Sequence, residues 1–369
     1  MNEGRTMNAL KRILSTTFVV GILLLFSCGQ GPQYYSMEDF GTVKKADVHV
    51  HINSADPMLL EQAQTDNFKL LTVNVDYPDF PPIDGQQEIA VELHKEYPAT
   101  VDFFSTFPMD GWDNPGWAEK TIERIKKGQE LGAIGVKTWK NIGMSYRDAN
   151  GELVMIDDSG FNPVFGYLAE HDIWMIGHQA EPKNCWLPLD SMTVNNDREY
   201  FKAHPQYHMY KHPEMPSYEE QMEARNNMLE RNPDLKFMGA HLASLEWSVD
   251  RIAQFLDRFP NATVDMAARM GQVQYQSIRE YEKVRDFFIN YQDRVLYATD
   301  LTQAPDADAE EFKSQAHHRW TIDWKYLATS DSLEVPELDN AFKGLRLPPD
   351  VVDKIYYQNA MKYFSEAWE

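Results

Sequence analysis

Cysteine is scarce in this chain, with 2 among 369 residues, Cys28 and Cys185. That excludes a disulfide-stapled scaffold, so stability must come from a large core. Positive charge is scarce too. Lys and Arg number 35 against 57 Asp and Glu, for a net charge of -22. So acidic a surface repels phosphate backbones and argues against a nucleic-acid partner. It also disfavours electrostatic docking on anionic lipid, so any membrane association must be covalent or strongly apolar. There is no internal repeat, no low-complexity tract and no linker after the N-terminal region. What remains is ordinary globular composition, 43% hydrophobic and 25% charged, which excludes a disordered or collagen-like chain.

Long apolar runs are nearly absent. Lys11 and Arg12 precede one from Ile13 to Phe26, interrupted by Ser15, Thr16, Thr17 and Gly21. It is short for a spanning helix of about 20 apolar residues, and reads as a secretory signal. Its end, Leu25-Phe26-Ser27-Cys28-Gly29, resembles a bacterial lipoprotein signal, in which the cysteine carries lipid and becomes the first residue. The alternatives are an uncleaved anchor and a plain signal with a chance cysteine. Met7 is a second candidate start. The expected organisation is a signal over 1–27, a tether over 28–42 and one domain over 43–369. The expected location is the envelope of a Gram-negative bacterium, lipid-anchored, periplasmic or surface-facing. Lipid on Cys28 would leave Cys185 as a lone thiol.

The rest of the chain alternates between short β-rich runs and amphipathic stretches. Expected strands are Ala46–Ile52, Lys69–Val75, Val101–Phe107, Ala133–Trp139, Ile173–His178, Leu235–Ala240, Ala262–Ala267 and Arg294–Ala298. Helical patterns cover Trp117–Leu131, Glu219–Arg231, Trp247–Arg258 and Tyr281–Tyr291. Strands alternating with helices imply parallel βα units, and eight such units imply a closed (β/α)8 barrel. More than fifty residues separate His178 from Leu235. The part from Pro182 to Pro216 is rich in proline and aromatics, including Trp186, Tyr200, Phe201, Tyr207 and Tyr210. Long loops in compact domains are usually functional, so a lid over the C-terminal mouth of the barrel is expected between strands five and six.

Strand one reads Ala46-Asp47-Val48-His49-Val50-His51. With a period of two, Asp47, His49 and His51 share one face and the valines the other. The histidines should then face the interior, where two imidazoles can converge on one metal ion. The bland alternative is a solvated pair on an edge strand. Strands five, six and eight end in His178, His241 and Asp300. Taken singly, a histidine there is often a satisfied core residue and an aspartate an N-cap. The weight lies in all four elements appearing in barrel order.

That combination, DxHxH on strand one with His178, His241 and Asp300, resembles the amidohydrolase superfamily of metal-dependent (β/α)8 enzymes. The contexts IGHQAEP and GAHLAS are most similar to its second large branch, which includes decarboxylases, lactonases and hydratases. The resemblance spans about Lys44 to Trp368. It implies that His49, His51, His178 and Asp300 bind one divalent metal, zinc first and manganese second, which three neutral imidazoles and a carboxylate suit. It implies a hydrolase that activates water for attack on a lactone, ester or amide carbonyl. Asp300 would accept the water proton, and His241 would polarise the carbonyl or shuttle a proton. In some relatives His241 is itself a ligand.

Lys137, ending strand four, has two readings. Carbamylated, it would bridge a second metal held by His178 and His241. Unmodified, it or Lys140 would contact the substrate or serve the structure. Arg269 after strand seven and Glu181 after His178 are candidate substrate contacts, each balanced by a structural reading. Trp139, Tyr207 and His208 are further substrate-binding candidates, with Trp186 and Tyr210 as wall or lid core. His204, His208 and His212 have helical metal-ligand spacing, but Pro205 and Pro213 argue against a regular helix. His94, His171, His317 and His318 read as structural. The expected partner is a small molecule, and a homo-oligomer is compatible with the sequence. Two alternatives stand beside the hydrolase: a metal-dependent decarboxylase of the same branch, and a lipid-anchored binding protein on an inactive barrel.

Overall fold

The computed structural model describes residues 34–368. The signal segment, Cys28 and the first part of the expected tether lie outside the described residues. All eight expected strands are present: β1 Lys45–Ile52, β2 Phe68–Val73, β3 Val101–Thr106, β4 Gly135–Thr138, β5 Trp174–Gly177, β6 Phe237–Gly239, β7 Ala262–Asp265 and β8 Val295–Leu296. A short ninth, β9 Thr302–Gln303, follows β8 and pairs with β1. Every neighbouring pair in this sheet is parallel, and β1 to β8 follow chain order. The sheet curls back on itself. The backbone of the β8–β9 segment bonds to β1 through Val48 N to Tyr297 O (3.2 Å), Asp300 N to His49 O (2.9 Å) and His51 N to Leu301 O (2.8 Å).

Helices stand between the strands because their apolar residues recur on one face. In Trp117–Glu130 the buried positions are Trp117, Thr121, Ile125 and Gly128, the spacing of a single buried stripe. Tyr218–Arg231 opens with a capping box between Ser217 and Glu220, which satisfies two free N–H groups at once. Ser248 caps Val249–Arg258 more simply, its side chain accepting from Arg251 N. The pattern expected over Tyr281–Tyr291 is the second half of a longer helix, Met270–Asn290, broken at Glu280 (φ -134°, ψ 51°). Two apolar layers result. Val50, Ile52, Val136, Met175 and Val264 face the helices, and Val48, Val73, Phe104, Ile176 and Met238 fill the inside. Phe364 and Trp368 belong to the inner layer too, and Trp368 Nε1 donates to Leu70 O at 2.8 Å.

Two expectations about the first strand and its approach are corrected. The strict two-residue alternation fails within β1, where the register with β2 shifts between Asp47 and Val50. Val48 packs with the inner layer, while Asp47 accepts from Trp320 Nε1 (2.9 Å) on the surrounding helix Ala309–Ala328. Asp47 therefore does not share a face with His49 and His51. An extra residue in the strand resets the phase. Of the expected tether, residues 34–42 pack on the barrel. Phe40 is buried, Trp324 Nε1 donates to Ser36 O (2.9 Å), and Tyr35 Oη donates to Asp353 (2.8 Å).

Between β5 and β6 the chain makes a series of short turns, Lys183–Trp186, Leu189–Ser191, Pro205–Tyr207 and Met209–Lys211, around one helix, Asn195–Ala203. This excursion has its own small core of Cys185, Met192, Phe201 and Met209. Asp197 ties it down, accepting from Asn184 Nδ2 (2.8 Å) and Gln272 Nε2 (2.9 Å). His204, His208 and His212 do not share a helix face, because the helix ends before Pro205. Each bonds a different local carbonyl, those of Tyr200, Leu187 and Pro205.

Candidate active site

The C-terminal ends of the strands deliver five of the expected side chains to one place. His49 and His51 come from the end of β1, His178 follows β5, His241 follows β6 and Asp300 follows β8. The His178 and His241 rings are 4.1 Å apart between centroids, His49 and His241 5.1 Å, and His49 and His51 5.3 Å. Asp300 Oδ1 lies 3.2 Å from His51 Nε2 and 3.5 Å from His49 Nε2. One ligand atom each from His49, His241 and Asp300 falls within 4.8 Å of the others. His241, expected as a proton shuttle, thus sits inside the tightest group of possible ligands.

Three rings are fixed in the same sense. His49 Nδ1 is 2.9 Å from Asp265 Oδ2, His51 Nδ1 is 2.7 Å from Val73 O, and His241 Nδ1 is 2.8 Å from Ala267 O. An acceptor at Nδ1 places the proton there and leaves the Nε2 lone pair free, the usual arrangement behind a metal-binding imidazole. His178 Nε2 is buried with no hydrogen-bond partner. A buried nitrogen left bare is costly, and a cation or substrate atom would relieve it. The donor set, imidazoles with a carboxylate, fits zinc or manganese.

The electrostatics agree. Burial, then the nearby Lys137 ammonium, holds His49 below its ordinary pKa. Burial, followed by cationic neighbours, pushes His178 and His241 further down. These imidazoles are neutral, as ligands must be. For Asp300 burial alone would raise the carboxyl, but the His51 contact and the nearby Lys137 ammonium outweigh it and hold it well below the usual carboxylate range. Lys137 Nζ lies 3.1 Å from His49 Nε2. Burial draws its pKa down to about 8, opposed by Asp265 and Asp300. Lys137 is thus wholly enclosed beside the cluster.

The backbone at the site is strained. Residues His241, Leu242, Ala243 and Ser244 all have φ between 55° and 58°, and Asp300 has φ 67°. Non-glycine residues pay about 1–2 kcal/mol each for this conformation, so the surroundings must enforce it. They do so through His241 N to Asp265 Oδ1 (2.8 Å), Ser244 Oγ to Ala180 O (2.8 Å), and Arg225 to Ala243 O. Gly239 is needed beneath this turn, because a Cβ there would lie 2.5 Å from Ala243 Cβ and 2.9 Å from its Cα.

A cavity of about 440 Å³ opens over the cluster, lined on one side by His51, Lys137, His178, His241 and Asp300. Its outer wall includes Trp139, Glu181, Lys140 and Tyr207, so four of the expected substrate contacts, Lys137, Trp139, Glu181 and Tyr207, do face it. Glu181 pairs with Lys140. Two expectations are corrected. His208 points away from the cavity. It is buried against Phe201 (5.6 Å between rings) with Nε2 2.8 Å from Leu187 O, because neighbouring residues on the short turns face opposite sides. Arg269 does not line the cavity either. It is buried, with Nη1 on Ala268 O (3.0 Å), and its charge bears on Asp197 and Glu246. Asp265 was missed as a site residue, although an aspartate ending a buried strand was a readable signal. Tyr77, Phe80 and Tyr200 also line the cavity. The aromatic run between prolines after β2 was the available clue for the first two.

The amidohydrolase family model matches residues 110–365. No curated protein matches the sequence. Among solved structures, an uncharacterized TIM-barrel protein from Bordetella bronchiseptica is similar at 14% identity and a TM-score of 0.52, over 89% of this chain and 100% of that one. The 2,6-dihydroxybenzoate decarboxylase from Rhizobium is similar at 16% identity and a TM-score of 0.50, over 88% of this chain and 99% of that one. At these identities the likeness concerns the fold.

Proposed function

Because the chain belongs to the amidohydrolase family, we propose that it is a metal-dependent hydrolase acting on a lactone, ester or amide carbonyl of a small molecule. The observation that carries this reading is the group His49, His241 and Asp300, whose donor atoms lie within 4.8 Å of one another and whose imidazoles are held through Nδ1. His51, with Nε2 3.2 Å from Asp300, completes four donors. His178, with a bare Nε2 on the cavity wall, stands at the edge of the set. A divalent ion bound there would supply the positive charge that acidifies water and polarises a carbonyl.

The chain's own groups do the rest. Asp300, held ionised, can take a proton from water at a carboxylate oxygen. Lys137 Nζ can donate a hydrogen bond to charge developing beside His49. Trp139, Tyr200 and Tyr207 on the outer wall offer apolar surface to a bound small molecule. Sequence features at Leu25–Gly29 support lipid on Cys28 and an envelope location. No helix among the described residues is long and apolar enough to cross a membrane.

Elemental analysis of the purified protein, beside a His49→Ala/His51→Ala double variant, tests the reading. About one equivalent of metal, lost in the variant, supports it. About two equivalents would favour a carbamylated Lys137 bridging both. No metal in either, even after reconstitution, sinks it and leaves the binding protein. Carbon dioxide released from carboxylic acids that have no ester or amide would replace the hydrolase with the decarboxylase.

A further inference from the structure

A second cavity, of about 210 Å³, lies where the helices Tyr218–Arg231 and Val249–Arg258 meet. Three arginines line it, Arg225, Arg251 and Arg258, and among the described residues no acid does. A net charge of -22 makes such a gathering unexpected. Buried Leu245, Phe255 and Phe259 add apolar surface. Arg225 is 2% exposed, with its guanidinium carbon 4.4 Å from the centre of the Phe255 ring. Its hydrogen bonds go to neutral oxygens. Nη1 donates to Ala243 O, while Nε (3.2 Å) and Nη2 (2.9 Å) donate to Asn226 Oδ1. Arg251 Nη1 donates to Gln254 Oε1 at 3.2 Å. Among the described residues neither is in an ion pair, whereas Arg258 is bound to Glu230. Glu219 feels the charge of Arg251 but is already held by Lys183 Nζ at 2.9 Å. Burial draws the pKa of Arg225 down to about 10. Tyr218 opposes this, and the charges of Arg258 and Arg251 add to it.

We propose that this cavity binds the phosphate group of a small molecule, at a site apart from the histidine cluster. It shares no lining residue with the cavity over the histidines, so the assignment does not depend on the reaction run there. Charge decides for an anion. A guanidinium taken out of water without a counter-charge is costly, and like charges beside it add to the cost. A bound anion relieves both. Valence decides for phosphate. Glu230 answers Arg258, which leaves the charges of Arg225 and Arg251 unpaired. A phosphate monoester carries nearly two negative charges at neutral pH, its second pKa being about 6, whereas a carboxylate brings one. Its oxygens also accept from guanidinium forks two at a time.

The test titrates the purified protein by calorimetry at neutral pH with phenyl phosphate, benzoate and inorganic phosphate. Arg251→Gln removes one unpaired charge from an exposed side chain. Arg225 is left in place because it also holds Ala243 O, in the turn after His241. Wild type should bind phenyl phosphate about tenfold more tightly than benzoate, as one further charge-assisted contact implies. Arg251→Gln should weaken phenyl phosphate about tenfold at an unchanged melting temperature. Glu230→Gln, which frees Arg258, should tighten it. A site of wild-type affinity should persist in His49→Ala/His51→Ala, which separates it from phosphate held at the histidines. No saturable binding, benzoate bound as tightly, affinity untouched by Arg251→Gln, or a site lost in the histidine variant would overturn the assignment. Inorganic phosphate bound as tightly as phenyl phosphate would assign the site to the free ion, and weaker binding to a monoester; both uphold it.

Discussion

The carboxylate of Asp265 lies 2.9 Å from Nδ1 of His49, and both side chains are wholly shielded from solvent. Its second oxygen accepts from His241 N (2.8 Å) and Ala267 N (3.1 Å). One residue at the end of β7 thus orients a histidine of β1 and anchors the turn that carries another after β6. Asp265→Asn can serve only part of this, since an amide has one acceptor oxygen where the carboxylate has two. Metal affinity should fall about 10- to 100-fold in protein that still folds. Titration with zinc against a competing chelator reads the change, and unchanged affinity would remove Asp265 from the site.

Gly239 is the floor of the left-handed turn. In Gly239→Ala the new methyl meets Ala243 backbone and side chain together, so neither can yield alone. Overpacking of this kind costs about 1–3 kcal/mol. The melting temperature should drop, and zinc affinity with it, because His241 moves. A melting temperature equal to wild type would show that the turn can relax.

Glu246 supplies a pH dependence. Burial raises its carboxyl to about 7, against the pull of Arg269, and its Oε2 has no partner. Its folded pKa lies above the ordinary 4.5, so the folded state binds more protons than the unfolded between about pH 4.5 and 7. Stability is therefore lost as pH rises through that window and stays lost above it. Glu246→Gln removes the ionisation. Compared by urea unfolding, the variant should gain on wild type by about 1–3 kcal/mol between pH 5 and pH 8. A constant difference would contradict the raised pKa.

Chelation offers a check on folding linkage. A ligand that binds only the folded state, at a hundred times its dissociation constant, stabilises by about 2.7 kcal/mol. Exhaustive chelation should lower the melting temperature, and added zinc should restore it. The His49→Ala/His51→Ala variant should respond to neither.

Much of this was legible in the sequence. The eight strands were readable because short β-rich runs alternate with amphipathic stretches, and the strand-end residues His49, His51, His178, His241 and Asp300 came with them. Two kinds of information were not. The phase of β1 depends on a shift against β2 that no residue-by-residue pattern encodes, so Asp47 was placed on the wrong face. The direction of loop side chains depends on local turns, so Tyr207 and His208 looked alike although only Tyr207 lines the cavity. The sequence leaves Arg269 evenly between a substrate contact and pairing with a structural acid. An arginine at a barrel mouth suggests a ligand, but the excursion and Glu246 supply acids that draw on its charge from within.

The shift inside β1 also sets a rule for how this barrel can change. Loops above the strands can lengthen or shorten at little cost, but within β1 a residue can be lost cleanly only at one place. Val48 and His49 both turn inward there, between outward Asp47 and Val50, so losing one residue of Asp47–Val50 restores strict alternation while Ala46 and His51 keep their sides. Loss of Val48 would leave Asp47 on Trp320 and His49 at the site, loss of Val50 would turn His49 into the helix layer, and loss of Asp47 would put Val48 beside Trp320 and Thr299. The histidine pair and the packing beneath it therefore depend on where one surplus residue sits.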